Sequence, residues 1–151
     1  MSLRSIGIVC LFIAVIIMPG AWGMGIDYVA LRVGLPLGEL PFWVGVDIGT
    51  ELSFGWGVAS LLLSPDGRTL LLVSLEYALG DAEGKGESLV RLTTGVSYFD
   101  LGATFPSSLI GGGLAYKLFF NGGLWMGITG DILYPLVLGP PFITLESGWS
   151  P

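Results

Sequence analysis

From about residue 26 to the C-terminus, large apolar residues alternate with small or charged residues at a period of two. Residues 42–49 read FWVGVDIG, and residues 90–98 read VRLTTGVSY. Because successive residues of a β-strand point to opposite faces, each such segment has one apolar face and one small or charged face. The pattern therefore predicts amphipathic strands.

Turn-forming sequences divide the chain after the first 25 residues into eight predicted strands. Ser64-Pro65-Asp66-Gly67 and Asn121-Gly122-Gly123 indicate tight turns, because proline presets φ and glycine accepts a positive φ. Gly111-Gly112-Gly113 lacks the context of a phosphate-binding loop, so it indicates a bend or a bulge. The predicted strands cover 26–35, 42–52, 54–63, 69–79, 88–98, 111–120, 124–134 and 142–149.

A polytopic helical membrane protein is the competing interpretation of so apolar a chain. A spanning helix needs about 20 mostly apolar residues. The longest uncharged run after residue 26 is 101–116, and it contains Pro106 and three consecutive glycines. A strand needs only about 9–11 residues to cross a bilayer, which is close to the length of the predicted segments. Strands are therefore favoured over helices.

Residues 1–23 are typical of a secretory signal peptide. A basic residue precedes the apolar core Ile6–Met18, and Ala21-Trp22-Gly23 places small residues at the two positions that a signal peptidase reads. The alternative is an uncleaved anchor, because the uncharged run Ser5–Ile26 is long enough to span a bilayer. The sequence predicts a cleaved leader.

Composition sets limits on what the remaining residues, 24–151, can form. They suffice for a single domain. Only 12% of the chain is charged, against about 25% in a typical soluble domain, and 25 residues are glycine. So few charges could hardly cover a water-facing surface. The net charge of −6 and the absence of a basic patch argue against a nucleic-acid partner.

The side chains that most often carry catalysis or bind metals are scarce. Cys10 is the one cysteine and lies in the leader, while histidine is absent. Disulfides, thiol chemistry and the commonest general base and metal ligand are thereby removed. Glu76, Asp131 and Glu146 could be considered as paired carboxylates, but no spacing fixes their separation. We expect no enzymatic activity, no cofactor and no metal site.

Side-chain size predicts which strand face points outward. One face is mostly large and apolar, as at Phe54, Trp56 and Val58, while the other is mostly glycine, alanine or serine with about one charge per strand. The cramped interior of a narrow barrel suits the small face, and lipid suits the large one. Three residues break the pattern and indicate strand ends, bulges or an interior plug: Trp43, Leu61 and Phe119.

The inward face is predicted to hold three basic and four acidic residues. Buried charge is costly unless it is paired, so we expect cross-strand pairs that fill and rigidify the lumen. A proton or ion path is the functional alternative, although side chains can fill the interior of an eight-stranded barrel. The seven residues are Arg32, Asp47, Glu76, Arg91, Lys117, Asp131 and Glu146.

Lipid cannot satisfy the open edge of a sheet, so strands that cross a bilayer must close into a barrel. The predicted fold is an all-β, eight-stranded, antiparallel up-and-down transmembrane β-barrel, the smallest bacterial size. Aromatic residues could form a girdle at the membrane interfaces. The candidates are Trp56, Tyr77, Tyr98, Tyr116, Tyr134 and Trp149.

In this pattern the chain resembles the small eight-stranded outer-membrane β-barrel superfamily, of the OmpA/OmpX type. The resemblance implies a place among membrane lipids in the outer membrane of a diderm bacterium. It also implies that the last strand is recognised by the outer-membrane assembly machinery through Ile143, Leu145 and Trp149. The chain differs from the family pattern at Ser147 and in the Ser150-Pro151 that follows the aromatic residue.

The function expected from these observations is a structural or interaction role in the membrane, with no protein partner identified. Two alternatives remain: a secreted, soluble, lipocalin-like carrier with its apolar face turned inward around a ligand, and an oligomeric pore built from several copies. The low charge and the glycine-rich second face argue against the carrier.

Overall fold

The computed structural model describes residues 25–35, 42–79, 85–98, 107–134 and 142–150. The predicted leader, residues 1–23, lies outside these ranges. In the ranges described, no helix has the length and apolar character needed to cross a membrane.

Eight antiparallel strands form a single closed barrel. Each strand pairs with its neighbour in the chain, and β8 pairs with β1 to close the sheet. The predicted all-β, eight-stranded, up-and-down architecture is therefore confirmed. The strands are β1 (Tyr28–Gly34), β2 (Trp43–Leu52), β3 (Gly55–Leu63), β4 (Thr69–Ala78), β5 (Gly86–Tyr98), β6 (Ser107–Phe119), β7 (Leu124–Tyr134) and β8 (Phe142–Trp149).

The strand bounds lie close to those predicted, except in β6. This strand begins at Ser107, four residues before the predicted start at residue 111. Gly111-Gly112-Gly113 lies inside it, and the pairing with β5 and β7 runs through these glycines without an inserted residue. Of the predicted bend or bulge, the bulge is therefore wrong. The glycines instead permit a close approach of neighbouring backbone, since a Cβ at Gly111 would lie 1.9 Å from the Ile132 carbonyl oxygen.

Two predicted turns are confirmed by their backbone geometry. Gly67 has a φ of 88° and donates its N–H to the Ser64 carbonyl oxygen at 3.0 Å. Gly122 has a φ of 84°, a conformation that favours glycine. In the first turn the Ser64 hydroxyl donates to the exposed Asp66 carboxylate and lowers the pKa of that group, with help from the Arg68 backbone N–H.

In every strand except β3, the face that side-chain size predicts to point outward does point outward. Leu31, Leu92 and Ile132 point outward and are 64%, 62% and 62% exposed, while the residues beside them are buried. In β3, however, Val58, Ser60 and Leu62 are buried, and the predicted orientation of Trp56 and Val58 is wrong.

The register of the β2–β3 hairpin explains the reversal in β3. The connection pairs Leu52 with Gly55, which puts Val58 opposite Gly49 and Leu62 opposite Gly45. Residues directly opposite each other lie on the same face, so the large side chains of β3 fill the room left by inward glycines of β2. Leu61 breaks the predicted pattern because it lies on the outward face of this strand.

Aromatic residues fall into an outward set and an inward set. Tyr77, Tyr116, Tyr134 and Trp149 are exposed on the outer face, close to the strand ends. Trp56 points inward, so its predicted place in a girdle is wrong for the reason that reverses β3. The side chain of Tyr98 lies outside the described part of the molecule.

Two apolar clusters fill the ends of the lumen. We call the end that holds Tyr28 and Trp149 the terminal end, and the other the opposite end. Trp43 is fully buried and belongs to the opposite cluster, whereas Phe119 packs against the terminal one; both are interior plugs. The terminal cluster comprises Tyr28, Ala30, Val58 and Trp125, with Trp56 and Phe119 packed against it; the opposite cluster comprises Trp43, Leu62, Leu70, Leu72, Leu109, Leu133 and Phe142.

Candidate functional site: a charged layer inside the barrel

A layer of charged side chains lies between the two apolar clusters. Seven of the eight strands contribute one charged residue each, and β3 contributes Ser60. None of the seven is more than 3% exposed. The structure places all of the predicted lumen charges here: Arg32, Asp47, Glu76, Arg91, Lys117, Asp131 and Glu146.

Arg32 connects the first, second and last strands. Its Nη2 lies 2.9 Å from Oδ2 of Asp47, and the same nitrogen donates to Oε1 of Glu146. Arg32 and Glu146 are direct cross-strand partners on β1 and β8. This ion pair therefore lies across the seam at which the barrel closes.

Arg91 is the second centre of the layer and contacts three carboxylates. Its Nε lies 3.4 Å from Oε1 of Glu76, and its Nη1 lies 3.4 Å from Oδ2 of Asp131 and 3.5 Å from Oε1 of Glu146. Its Nη2 donates to Oγ of Ser74 at 3.0 Å. Glu146 thus joins Arg91 to Arg32, and the charges form one connected network.

Glycine makes part of this network possible. Gly113 of β6 is the cross-strand partner of both Arg91 on β5 and Asp131 on β7. A Cβ at Gly113 would lie 2.5 Å from Oδ1 of Asp131 and 2.0 Å from the Gly130 carbonyl oxygen. The missing side chain leaves the space in which an arginine and an aspartate on non-adjacent strands meet.

Lys117 lies where the charged layer meets the apolar cluster at the terminal end of the lumen. Its Nζ donates to Oε2 of Glu76 and lies 3.4 Å from the hydroxyl oxygen of Tyr28. The same nitrogen lies 5.0 Å from the ring centroid of Tyr28, 5.6 Å from that of Trp56 and 4.9 Å from that of Trp125. These distances are within the range of cation–π attraction.

The arrangement is suited to charge pairing within the protein. Glu76, Asp131 and Glu146, the three carboxylates considered for acid–base chemistry, all surround the guanidinium of Arg91. Each therefore faces a fixed internal cation. Within the described ranges, the acidic residues form no group of three that could hold a metal ion.

The sequence pattern does not single out the aromatic partners of Lys117. The alternation of the strands places Tyr28 and Trp125 on the inward face, the same face as Lys117. This shared face is the one feature of the sequence from which their proximity could have been predicted. Trp56 could not have been found in this way, because side-chain size predicts a place for it on the outer face.

Three apolar side chains of the last strand, Ile143, Leu145 and Trp149, lie on its outer face, whereas Phe142 is buried in the lumen. Leu145 and Trp149 are exposed, Ile143 is half-buried, and the indole N–H of Trp149 donates to the Gly122 carbonyl oxygen at 3.0 Å.

Comparison of the chain with protein-family models, curated proteins and solved structures finds no match.

Proposed function

We propose that this protein is an integral β-barrel of the outer membrane of a diderm bacterium, with a structural or interaction role and no catalytic activity. One observation carries the proposal. In the eight strands that the structure describes, no outward-facing position holds a charged residue, while large apolar side chains are exposed on every strand.

The outer surface is unusual for a protein in water. Soluble monomers rarely expose contiguous apolar patches of more than a few hundred Å². Here exposed apolar residues recur around the whole barrel, at Leu31 in β1, Val73 in β4, Leu92 in β5 and Ile132 in β7. A hydrocarbon environment removes the cost of this exposure, and a closed barrel leaves no unpaired edge in lipid.

The contents of the lumen support a structural role. Large side chains pack at both ends, and the layer between them joins seven strands through ion pairs. Such packing favours a plugged barrel over an ion path through one copy. An oligomeric pore remains an alternative only if ions pass between neighbouring copies of the protein and not through the lumen of each barrel.

The soluble carrier is the alternative from another functional class. A carrier of apolar ligands needs an apolar interior and a polar exterior. In this barrel the middle of the lumen carries Arg32, Arg91 and Lys117 with their acidic partners, its ends are filled by apolar side chains, and the outer face of every strand exposes large apolar residues. The charged middle of the lumen and the apolar outer face favour the membrane proposal.

The resemblance to the small outer-membrane barrels belongs to this proposal as well. It implies the outer-membrane location and the recognition of β8 by the assembly machinery, while the predicted leader, residues 1–23, provides the route of export. The outward placement of Leu145 and Trp149 is compatible with such recognition.

Membrane fractionation tests the proposal. We expect the protein to stay with the membrane pellet after an alkaline carbonate wash and to require detergent for extraction. On a gel, unboiled and boiled detergent samples should migrate differently, because a folded barrel resists unfolding until it is heated. Release into the carbonate supernatant without detergent would contradict membrane insertion.

A further inference from the structure

The chain has two lysines, and they lie in opposite environments. Lys85 is exposed beside the start of β5, whereas Lys117 is 1% exposed inside the lumen. Three aromatic rings surround the Lys117 ammonium group at 4.9–5.6 Å from their centroids. A carboxylate oxygen of Glu76 accepts its hydrogen bond.

The three rings form a cage whose members pack against one another. Tyr28 packs edge-on against Trp56, with centroids 5.3 Å apart, and against Trp125, with centroids 5.0 Å apart. The rings come from β1, β3 and β7, and the lysine comes from β6. A cage of aromatic faces with a carboxylate beside it is the arrangement by which proteins recognise ammonium ligands.

We propose that this cage is a binding site for primary alkylammonium groups, occupied in the protein by its own Lys117. The lysine acts as an internal ligand that joins the charged layer to the aromatic cluster at the terminal end of the lumen. The inference rests on the lumen geometry alone, so it stands or falls separately from the proposed membrane location.

Lys117 is not needed merely to neutralise the charge of Glu76. The Glu76 carboxylate already contacts Arg91 through its other oxygen, Oε1, and is a direct cross-strand partner of that arginine. The contacts that only Lys117 makes are those with the three rings. A fully desolvated cation–π contact is stronger than an exposed one; the rings of Tyr28 and Trp125 are buried, and the partly buried Trp56 packs against them.

Chemical rescue tests the site. Lys117→Ala removes the part of the side chain that propylammonium can replace. We expect titration of the folded variant with propylammonium to change its tryptophan fluorescence saturably and to raise its unfolding temperature. The neutral isostere 1-propanol should do neither, and Lys85→Ala should respond to neither compound.

A second substitution assigns the effect to the rings. In Lys117→Ala combined with Trp125→Leu, we expect the affinity for propylammonium to fall about tenfold, or about 1.4 kcal/mol. Equal responses to propylammonium and 1-propanol would mean that the ligand only fills space, which would overturn the proposal. No response to propylammonium by a folded Lys117→Ala variant would also overturn it.

If Lys117→Ala does not fold, NMR of the unsubstituted protein labelled at lysine decides the question. Lys85 is a built-in reference for a lysine in water. We expect the ε-methylene protons of Lys117 to resonate upfield of those of Lys85, because the ammonium nitrogen bonded to that carbon lies over three aromatic rings. These signals should move downfield in Trp125→Leu. Coincident Lys117 and Lys85 signals would show that no cage holds the ammonium group.

Discussion

Arg91 and Asp131 lie on strands that are not neighbours, and they meet across a glycine. Nη1 of Arg91 is 3.4 Å from Oδ2 of Asp131, and Gly113 of the intervening strand is the cross-strand partner of both residues. The contact connects β5 to β7 inside the barrel. The lack of a side chain at Gly113 therefore allows these two lumen charges to approach one another.

Gly113→Ala should destabilise the barrel by about 1–3 kcal/mol, because the added methyl group overlaps the Gly130 carbonyl oxygen and the Asp131 carboxylate. Urea unfolding in detergent measures the change. Gly130→Ala is the matched control, since a Cβ there would meet no atom within 4 Å. Equal effects of the two substitutions would contradict the close approach at Gly113.

Arg91→Met should cost about 3–5 kcal/mol of unfolding free energy, because it leaves three buried carboxylates without their shared cation. Arg68→Met is the control. Arg68 pairs with Asp66 at 2.9 Å in the β3–β4 turn, where the two side chains are 39% and 46% exposed. An exposed pair contributes about 0–1 kcal/mol. A loss at Arg91 no larger than that at Arg68 would refute the network as a stabilising element.

Leu92→Arg should destabilise the protein in lipid vesicles by about 2–4 kcal/mol, because Leu92 points outward near the middle of β5. Leu124→Arg, at the first residue of β7, should cost about 0–1 kcal/mol. Unfolding in vesicles measures both. A barrel surrounded by water should tolerate the two substitutions alike, and that result would favour the carrier.

The monomer should show negligible conductance in planar bilayers, because side-chain clusters fill both ends of its lumen. Stable, reproducible single-channel steps from monomeric protein would contradict the plugged lumen. Steps that appear only with cross-linked oligomers would instead support the pore built from several copies.

The turn-forming sequences predict the number of strands, and alternation with side-chain size predicts the inward position of each lumen charge. Closure of the barrel follows only when a lipid environment is added to the pattern. The pattern was not enough for β3, because side-chain size alone cannot show that Val58 and Leu62 fill the space opposite Gly49 and Gly45. That relationship depends on how the β2–β3 hairpin pairs.

The pairing of the charges needed three-dimensional information for the same reason. Arg32 and Glu146 are far apart in sequence and become partners only when the barrel closes. The contact between Arg91 and Asp131 spans two strand pairs, and the three rings around Lys117 come from three strands, none of them its own. Sequence periodicity gives the face of each residue but not its partner across the lumen.

Spin-label accessibility shows whether the outer face of the barrel contacts lipid or water. In a Cys10→Ser background, single cysteines at Leu31, Leu92 and Ile132 place labels on β1, β5 and β7, with a label at Ser53 in the β2–β3 turn as the water-exposed reference. In reconstituted vesicles we predict that the three strand labels collide more with oxygen, which dissolves in lipid, than with a water-soluble nickel complex. Strand labels that collide mainly with the nickel complex, as the Ser53 label should, would contradict a lipid-facing barrel.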